Sequence, residues 1–441
     1  MPWTRERIEE FLEQHGIHTV RVGWCDLHGL MRGKALTRER FLEGLERGVG
    51  QSTAPLLMDL RGEVDDAASQ AGQAGWPDMW AIPDLDSLCH LSYEPGAAEV
   101  LADLVDEDGE PVAISPRHVL RRVIDRAERA GWRFKIGAEL EFYVFGDESC
   151  ATLPPGRQAL RTHLGREERR CMERLWRELS EMGFLTEAMY AEDGPGQFEI
   201  NLAAGEAMAT CDAAFHFRRA VKQTVADEGL VATFMAKPVP DGGGSGFHLH
   251  QTATLAGGDG PAFAADGESA SAACLQFAAG QLAYAVEAAA LYLPTVNAYK
   301  RIKLRGSCPL SLCWAWDNRS AAVRLIKDPG GEVRIENRIP GADANPYLIT
   351  AAGIATGLAG VEQELTPPEP ITESTYLGRE SGEALPESLG DAIAPLNGSS
   401  LLRDWLGDEL VDAFVGVKSR EADRFARAIT DWEREEYLTY L

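Results

Sequence analysis

The chain has 441 residues, 45% of them apolar and 25% charged, an ordinary globular composition. Its 69 acidic residues against 43 basic ones give a formal net charge of −26. That excess argues against a nucleic-acid surface and against docking on anionic lipid, since both need basic stripes. It suits a divalent metal site, which is built from carboxylates. No apolar run of about 18 residues is present, so no membrane-spanning helix is expected. The opening MPWTRERIEEFLEQHG is charged and helical, without an apolar leader core. Eight cysteines without a CxxC pair favour a reducing compartment over disulfides or a zinc ribbon. The expected location is the cytoplasm.

Residues 3–15 predict a short amphipathic helix. Alternation around Val20, Val22 and Trp24, with a turn at His28-Gly29, predicts a hairpin. Gly and Pro residues near 71–85 predict loops. VLADLVDEDGEPVAI, 100–114, predicts a strand pair about Asp108-Gly109. Residues 1–110 therefore form a small strand-rich domain, and residues 111–441 a larger second one. Ser115-Pro116 opens a helix with a cap and a first-turn proline. Val119, Leu120, Val123, Ile124 and Ala127 continue it, and Gly131 closes it. The Ala-rich stretch 270–292 predicts a buried helix. TPPEP, 366–370, is a linker, and 401–441 a packed helical cap.

Four strands of the second region carry polar stripes. In FKIGAELEFYVF, Phe134, Ile136, Ala138, Leu140, Phe142 and Val144 share one face, and Glu139 and Glu141 the other. In GPGQFEINL the polar face holds Gln197, Glu199 and Asn201. His248 and His250 oppose Phe247 and Leu249; Arg334, Glu336 and Arg338 oppose Val333, Ile335 and Ile339. One such stripe is usually a solvated face or a row of ion pairs. Four together, flanked by glycine turns, predict one polar concave sheet or barrel interior. Carboxylates with a single imidazole suit Mg²⁺ or Mn²⁺. Their number points to a two-metal cluster. Metals beside Arg301, Arg319, Arg324, Arg334 and Arg338 suit phosphoryl transfer, where cations neutralise the moving phosphoryl group.

At these residues the chain resembles the glutamine synthetase superfamily, class I type. The segments are GAELEFYVF, EDGPGQFEINL, MAKPVPDGGGSGFHLHQT, NAYKRIKLRGSCP, DNRSAAVRL and RIENRIPGADANPYLITAAGIATGL. DLHGLMRGKAL and GWPDMWAIPD resemble its small N-terminal β-grasp domain. The resemblance implies an α+β fold, with a catalytic antiparallel sheet or half-barrel lined by metal ligands and flanked by helices. It implies a homo-oligomer, typically a dodecamer of two hexameric rings with active sites between subunits. It implies ATP, L-glutamate, an amine, and two or three Mg²⁺ or Mn²⁺. Glu141, Glu192 and Glu199 match the ligands of one metal, and Glu139, His248 and Glu336 those of another. Glu187, His250, Thr252 and Arg334 match nucleotide positions, and Arg319 and Arg324 the phosphate-side arginines. Gly244, Arg301 and Arg338 match the glutamate positions. Asp59 aligns with the aspartate that a neighbouring subunit brings to the amine site; a plain loop aspartate is the competing reading.

The departures from the family pattern concern the amine. Where ammonia-using members carry a glutamate before the flap proline, this chain has Ser307, after Gly306. Tyr190 and Ala191 replace a pair of histidines, Gly243 replaces an asparagine, and no tyrosine stands in DESCATLPPGRQALRTH. A cage that loses charge and bulk holds ammonium less well and admits a carbon substituent. The resemblance thus points to the glutamate–amine ligase branch, acting on an alkylamine, ethanolamine or a polyamine. An ordinary glutamine synthetase and a non-catalytic sensor or scaffold are the alternatives. The sensor is disfavoured, because converging like charges have no use without metal. Glu383 stands where adenylylated members carry a tyrosine, so adenylylation there is not expected.

Overall fold

The computed structural model describes residues 3–65, 70–149, 159–240, 242–258, 260–267, 269–303, 308–309, 311–377 and 382–441. The expected hairpin forms from β1 (Thr19–Cys25) and β2 (Met31–Thr37), which pair antiparallel. Asp26 shapes its turn: Oδ1 accepts from the amides of His28 and Leu30, both at 2.9 Å. Gly29 takes φ +75°, a conformation open to residues without a Cβ.

The remaining strands of this region are β3 (Val49–Ser52), β4 (Asp78–Pro83), β5 (Cys89–His90) and β6 (Ala97–Val105). Their order is β2-β1-β6-β4-β3, with β5 also on β6. Val20, Val22, Phe41, Val100 and Leu104 pack under this sheet with Ile8 and Leu12 of the helix Arg5–Gln14. Two expectations are corrected here. Within 71–85, residues Asp78–Pro83 are a strand rather than loop, because Met79 and Ala81 alternate into the core. The pair expected over 100–114 is a single strand followed by one bridge, Val105 to Pro111. The bridge is held by the Asp106 amide donating to the Glu110 carbonyl and the Val112 amide donating to the Leu104 carbonyl, both at 2.9 Å.

The second region holds β7 (Trp132–Phe145), β8 (Thr186–Ala191), β9 (Gln197–Glu206), β10 (Val231–Thr233) and β11 (Phe247–Leu255). It continues with β12 (Ala265–Asp266), β13 (Ser269–Ala270), β14 (Trp314–Trp316), β15 (Val323–Lys327) and β16 (Val333–Asn337). The main sheet runs β14-β15-β16-β11-β7-β9-β8, with β10 beside β7 and a parallel pair only at β14–β15 among the described residues. It curls into a half-barrel, so the chain is α+β, as expected. The apolar stripe of β7 is buried with Phe215, Phe217 and Val221 of the helix Ala207–Asp227 and with Leu348 and Ile349 of Pro346–Glu362. Burial of each such side chain contributes about 1.5–3 kcal/mol. That anchoring turns the opposite, polar stripe into the concave face.

The helix opened by Ser115 spans Pro116–Arg129, as expected. The Ala-rich 270–292 is two helices, Ala272–Ala283 and Ala285–Tyr292, interrupted at Tyr284. The helical cap is packed only in part. Leu402, Trp405, Leu410, Phe414 and Val417 are buried, yet the helix Asp431–Tyr437 buries nothing. Ile429, Trp432, Leu438, Tyr440 and Leu441 face solvent.

Candidate active site

Strand register brings the polar stripes together. Glu139 lies opposite His248 on one side and Asn201 on the other. Glu141 lies opposite Glu199, which in turn faces Tyr190 of β8. Glu336 lies between His250 and Arg324. Facing pairs of antiparallel strands hold their side chains within contact distance. The concave cluster expected from the sequence is therefore present.

Two overlapping groups have metal-ligand spacing. One atom each of Glu139, Glu199 and His248 lie within 4.8 Å of one another, and so do atoms of Glu139, His250 and Glu336. Glu139 thus joins both groups. This differs in detail from the expected ligand sets. Glu141 and Glu192 stand outside the two groups, and His250, expected at the nucleotide, stands inside one. Glu141 is still close: its Oε1 is 3.8 Å from His248 Nε2.

The electrostatics show what the cluster lacks. Burial, then the charges of Glu139 and Glu141, push the Glu199 carboxyl up to about 10. Burial and the Glu192 charge push Glu141 up to about 8. Burial and Glu139 raise Glu192 as well. Burial works against ionisation of Glu139 too, but hydrogen bonds and charge from His248 and His250 outweigh it, and the group sits well below its usual range. Glu336 is likewise held at about 2, because Arg338 and the two histidines overcome burial. Carboxylates that raise one another's pKa are short of positive charge.

The histidines confirm the fit to a cation. His248 Nδ1 is 2.7 Å from Glu139 Oε1, so an ionised Glu139 places the proton on Nδ1. Nε2 is then a buried lone pair, and it has no hydrogen-bond partner. A carboxylate fixing the far nitrogen of a metal-binding histidine is a recurrent arrangement. A Cβ on Gly246 would stand 2.7 Å from that Nε2, so glycine leaves the lone pair accessible. The residues present therefore suit a hard divalent ion.

Beside the cluster lies a cavity of about 350 Å³. Glu187, His250, Thr252, Arg319, Arg324 and Arg334 line it, together with Glu139. All the residues expected at the nucleotide are thus on one wall system. Arg324 donates to Glu336 at 3.0 Å and also pairs with Asp317. On the other side Arg301 is fully buried and donates to the carbonyls of Ile339, at 2.8 Å, and Arg338, at 3.3 Å. Arg338 donates to Glu336 at 2.5 Å. Gly244 packs on Arg301, whose Cγ would be 2.5 Å from an added Cβ. A larger, mostly apolar cavity of about 660 Å³ shares no lining residue with the carboxylate cavity.

Asp59 is expected at a neighbouring subunit's site rather than at this one. In its own chain it is buried, its Oδ1 accepts from the amides of Arg61 and Glu63, and Oδ2 pairs with Arg424. Ser307 lies outside the described residues, as does Gly306.

The structure adds donors that the sequence reading left without a role. Gln197 Nε2 donates to Glu141 Oε2 at 2.9 Å. Asn201 Nδ2 donates to Glu139 Oε2 at 2.9 Å and to Glu199 Oε1 at 3.0 Å. The Tyr190 hydroxyl donates to Glu199 Oε1. Gln197 and Asn201 share the stripe of Glu199, so their place on the polar face was readable. Their partners belong to other strands and were not.

Comparison with known families accounts for this geometry. The model described as "Glutamine synthetase N-terminal domain" matches residues 4–112, and "Glutamine synthetase, catalytic domain" matches residues 113–437. The chain belongs to the glutamine synthetase family. A glutamate–isopropylamine ligase from a Pseudomonas species is 32% identical, covering 98% of this chain and 97% of that protein. The gamma-glutamylethanolamide synthetase GlnA4 of Streptomyces coelicolor is 34% identical, covering 97% and 94%. A glutamine synthetase of Methanococcus maripaludis is 32% identical over 98% and 99%. Among solved structures, a GmaS–ADP complex superposes with a TM-score of 0.88 at 29% identity, covering 98% of this chain and 99% of that one. The protein is therefore an ATP-dependent ligase. Its family is ATP-dependent, uses divalent metals and is generally oligomeric. Among the described residues no helix is long and apolar enough to cross a membrane.

Proposed function

We propose that this ligase joins the γ-carboxylate of L-glutamate to an amine larger than ammonia. The observation that carries the reading is Ser307, a small neutral residue where ammonia-using members carry a flap glutamate. Similarity to an isopropylamine ligase and an ethanolamide synthetase supports it. Similarity at the same level to glutamine synthetases favours the second reading, in which the amine is ammonia.

In the proposed reaction a glutamate γ-carboxylate oxygen attacks the γ-phosphorus of ATP, and ADP leaves. The amine nitrogen then attacks the acyl carbon, phosphate leaves, and the nitrogen gives up a proton. Glu187, His250, Thr252 and Arg334 hold the nucleotide in the 350 Å³ cavity. Arg319 and Arg324 line the same cavity and face the charge that spreads over the transferred phosphoryl. Gly244, Arg301 and Arg338 form the glutamate side. Glu139, Glu141, Glu192, Glu199, His248 and Glu336 hold two or three Mg²⁺ or Mn²⁺. Bound there, the ions supply positive charge to the phosphate oxygens. Asp59, which pairs with Arg424 in its own chain, is the aspartate offered to a neighbouring subunit's amine site. We further place the protein in the cytoplasm, with domains at 1–110 and 111–441. We read its assembly as a dodecamer of two hexameric rings. The solvent-facing apolar side chains beyond Phe425 support assembly, because a monomer rarely leaves so many together in water.

An amine screen tests the substrate. Phosphate release is measured with ATP, Mg²⁺ and L-glutamate against ammonium, isopropylamine, ethanolamine and putrescine. We expect a primary amine to exceed ammonium by at least about tenfold in kcat/KM, a difference of about 1.4 kcal/mol. Ammonium outperforming every amine would establish the second reading.

A further inference from the structure

The carboxylates of the cluster differ in how many of their oxygens the protein already occupies. Glu139 is held at both: His248 Nδ1 lies 2.7 Å from Oε1, and Asn201 and His250 lie 2.9 and 3.3 Å from Oε2. Glu336 is held at both by Arg338 and Arg324. Glu199, like Glu141, is held at one oxygen. Its Oε1 receives two donors, the Tyr190 hydroxyl and Asn201 Nδ2, while no described residue donates to Oε2. Tyr190 sits directly opposite Glu199 in the β8–β9 ladder, so the phenol is delivered from a rigid strand. It also lines the 350 Å³ cavity, between the carboxylates and the nucleotide side.

We propose that Tyr190 is a positioning residue that restricts Glu199 to one free oxygen and thereby favours Mg²⁺ over Mn²⁺ at this site. The inference rests on the metal reading of the cluster. Its physical basis is the strictness of Mg²⁺, which demands short, near-octahedral bonds and tolerates two-oxygen chelation by one carboxylate poorly. Mn²⁺ is less exacting and binds carboxylates and imidazole alike. A phenol that occupies Oε1 forbids chelation and fixes the rotation of the carboxylate. Without it, Asn201 alone holds Oε1, and that amide is shared with Glu139. Glu199 can then turn to present both oxygens, which costs Mg²⁺ more than Mn²⁺. Outer hydrogen-bond partners of metal ligands commonly change affinity by about 10–100-fold.

Tyr190→Phe removes one oxygen and keeps the ring. Mn²⁺ binding to the nucleotide-free full-length protein is read from the loss of the free-ion electron paramagnetic resonance signal, and Mg²⁺ binding from competition. We expect the Mg²⁺ Kd to rise by about tenfold or more and the Mn²⁺ Kd by less than about threefold. In a Glu199→Gln background the same substitution is expected to change the Mg²⁺ Kd by less than about twofold, since its action runs through that carboxylate. Unchanged constants, equal weakening of both ions, or a full effect in the Glu199→Gln background would each overturn the role of Tyr190. Failure of the wild-type protein to bind either ion would instead overturn the metal reading beneath it.

Discussion

Two buried charged clusters in this molecule look alike in composition and behave in opposite ways. At the junction of the two sheet regions, Arg117 donates to Asp212 at 3.0 and 2.8 Å, to Asp103 at 2.5 Å and to Asp84 at 2.6 Å. Arg121 adds a bond to Asp103 at 2.9 Å, and the Tyr347 hydroxyl donates to Asp212 at 2.7 Å. Asp84 ends below its usual pKa, because Arg117 outweighs burial. In the concave cluster, Glu141 and Glu199 end above theirs. The first cluster is complete within the chain and holds the strand-rich region to the helices behind the half-barrel. The second contains more anions than its own arginines satisfy, a donor set that suits a cation. What sets the concave cluster apart is that three of its carboxyls, Glu141, Glu192 and Glu199, are raised, while Glu139 and Glu336, paired with the histidines and arginines, are lowered as Asp84 is.

Mutations can break or sharpen this contrast. The largest effect is expected at the junction. Arg117→Ala takes the guanidinium from the buried Asp212, while Arg121 still reaches Asp84 and Asp103, and should cost about 3 kcal/mol of stability in urea unfolding. A loss under about 1 kcal/mol would mean the network is not a clamp. Next, Glu141→Gln should reduce turnover by about a hundredfold, about 2.7 kcal/mol, as phosphate release. In metal-free protein the same change should raise the melting temperature, since it removes a carboxyl that must take up a proton to be buried. A lowered melting temperature there would make the two clusters equivalent.

A pH series gives a smaller effect. Glu141 and Glu199 have folded pKa values raised above the ordinary carboxylate range, to about 8 and about 10. The folded state therefore binds more protons than the unfolded state from about pH 4.5 up to those values. Metal-free stability should fall as pH rises through that window, by at most about 1.4 kcal/mol per pH unit per titrating group. Saturating Mg²⁺ should abolish the fall, and Glu141→Gln should reduce it. Stability that rises from pH 5 to 8 equally in wild type and variant would contradict the shifts. The smallest effect is at the surface. Arg5 and Glu9 are solvent-facing partners at 3.0 Å, and Glu9→Gln should move the melting temperature by no more than about a degree.

Much of the site was legible because a strand has a period of two. That period alone puts Glu139 with Glu141, His248 with His250, and Glu336 between two arginines on its stripe. It also puts Phe134 through Val144 on the buried face. The errors fall where period says least. The pairing expected after Val105 is one bridge long, held by the amides of Asp106 and Val112. The helix expected over 270–292 breaks at Tyr284, in a stretch too uniformly apolar to mark its own end. The helix Asp431–Tyr437 carries the spacing of a packed helix, yet none of its residues is buried among the described residues.

The sequence by itself determined which side chains share a face and, through its motifs, which chemistry that face serves. Tertiary structure alone decided which faces meet. Register across strands far apart in the chain sets Glu139 against His248, Glu141 against Glu199, and Tyr190 against Glu199. Shifting any of these strands by one residue would turn its ligands into the core. Register is fixed by the packing of the apolar stripes on helices such as Ala207–Asp227, a sum of many contacts that no local pattern contains. The organised part of the acidity is therefore a property of the fold, built from residues that the sequence only places on the correct side of each strand.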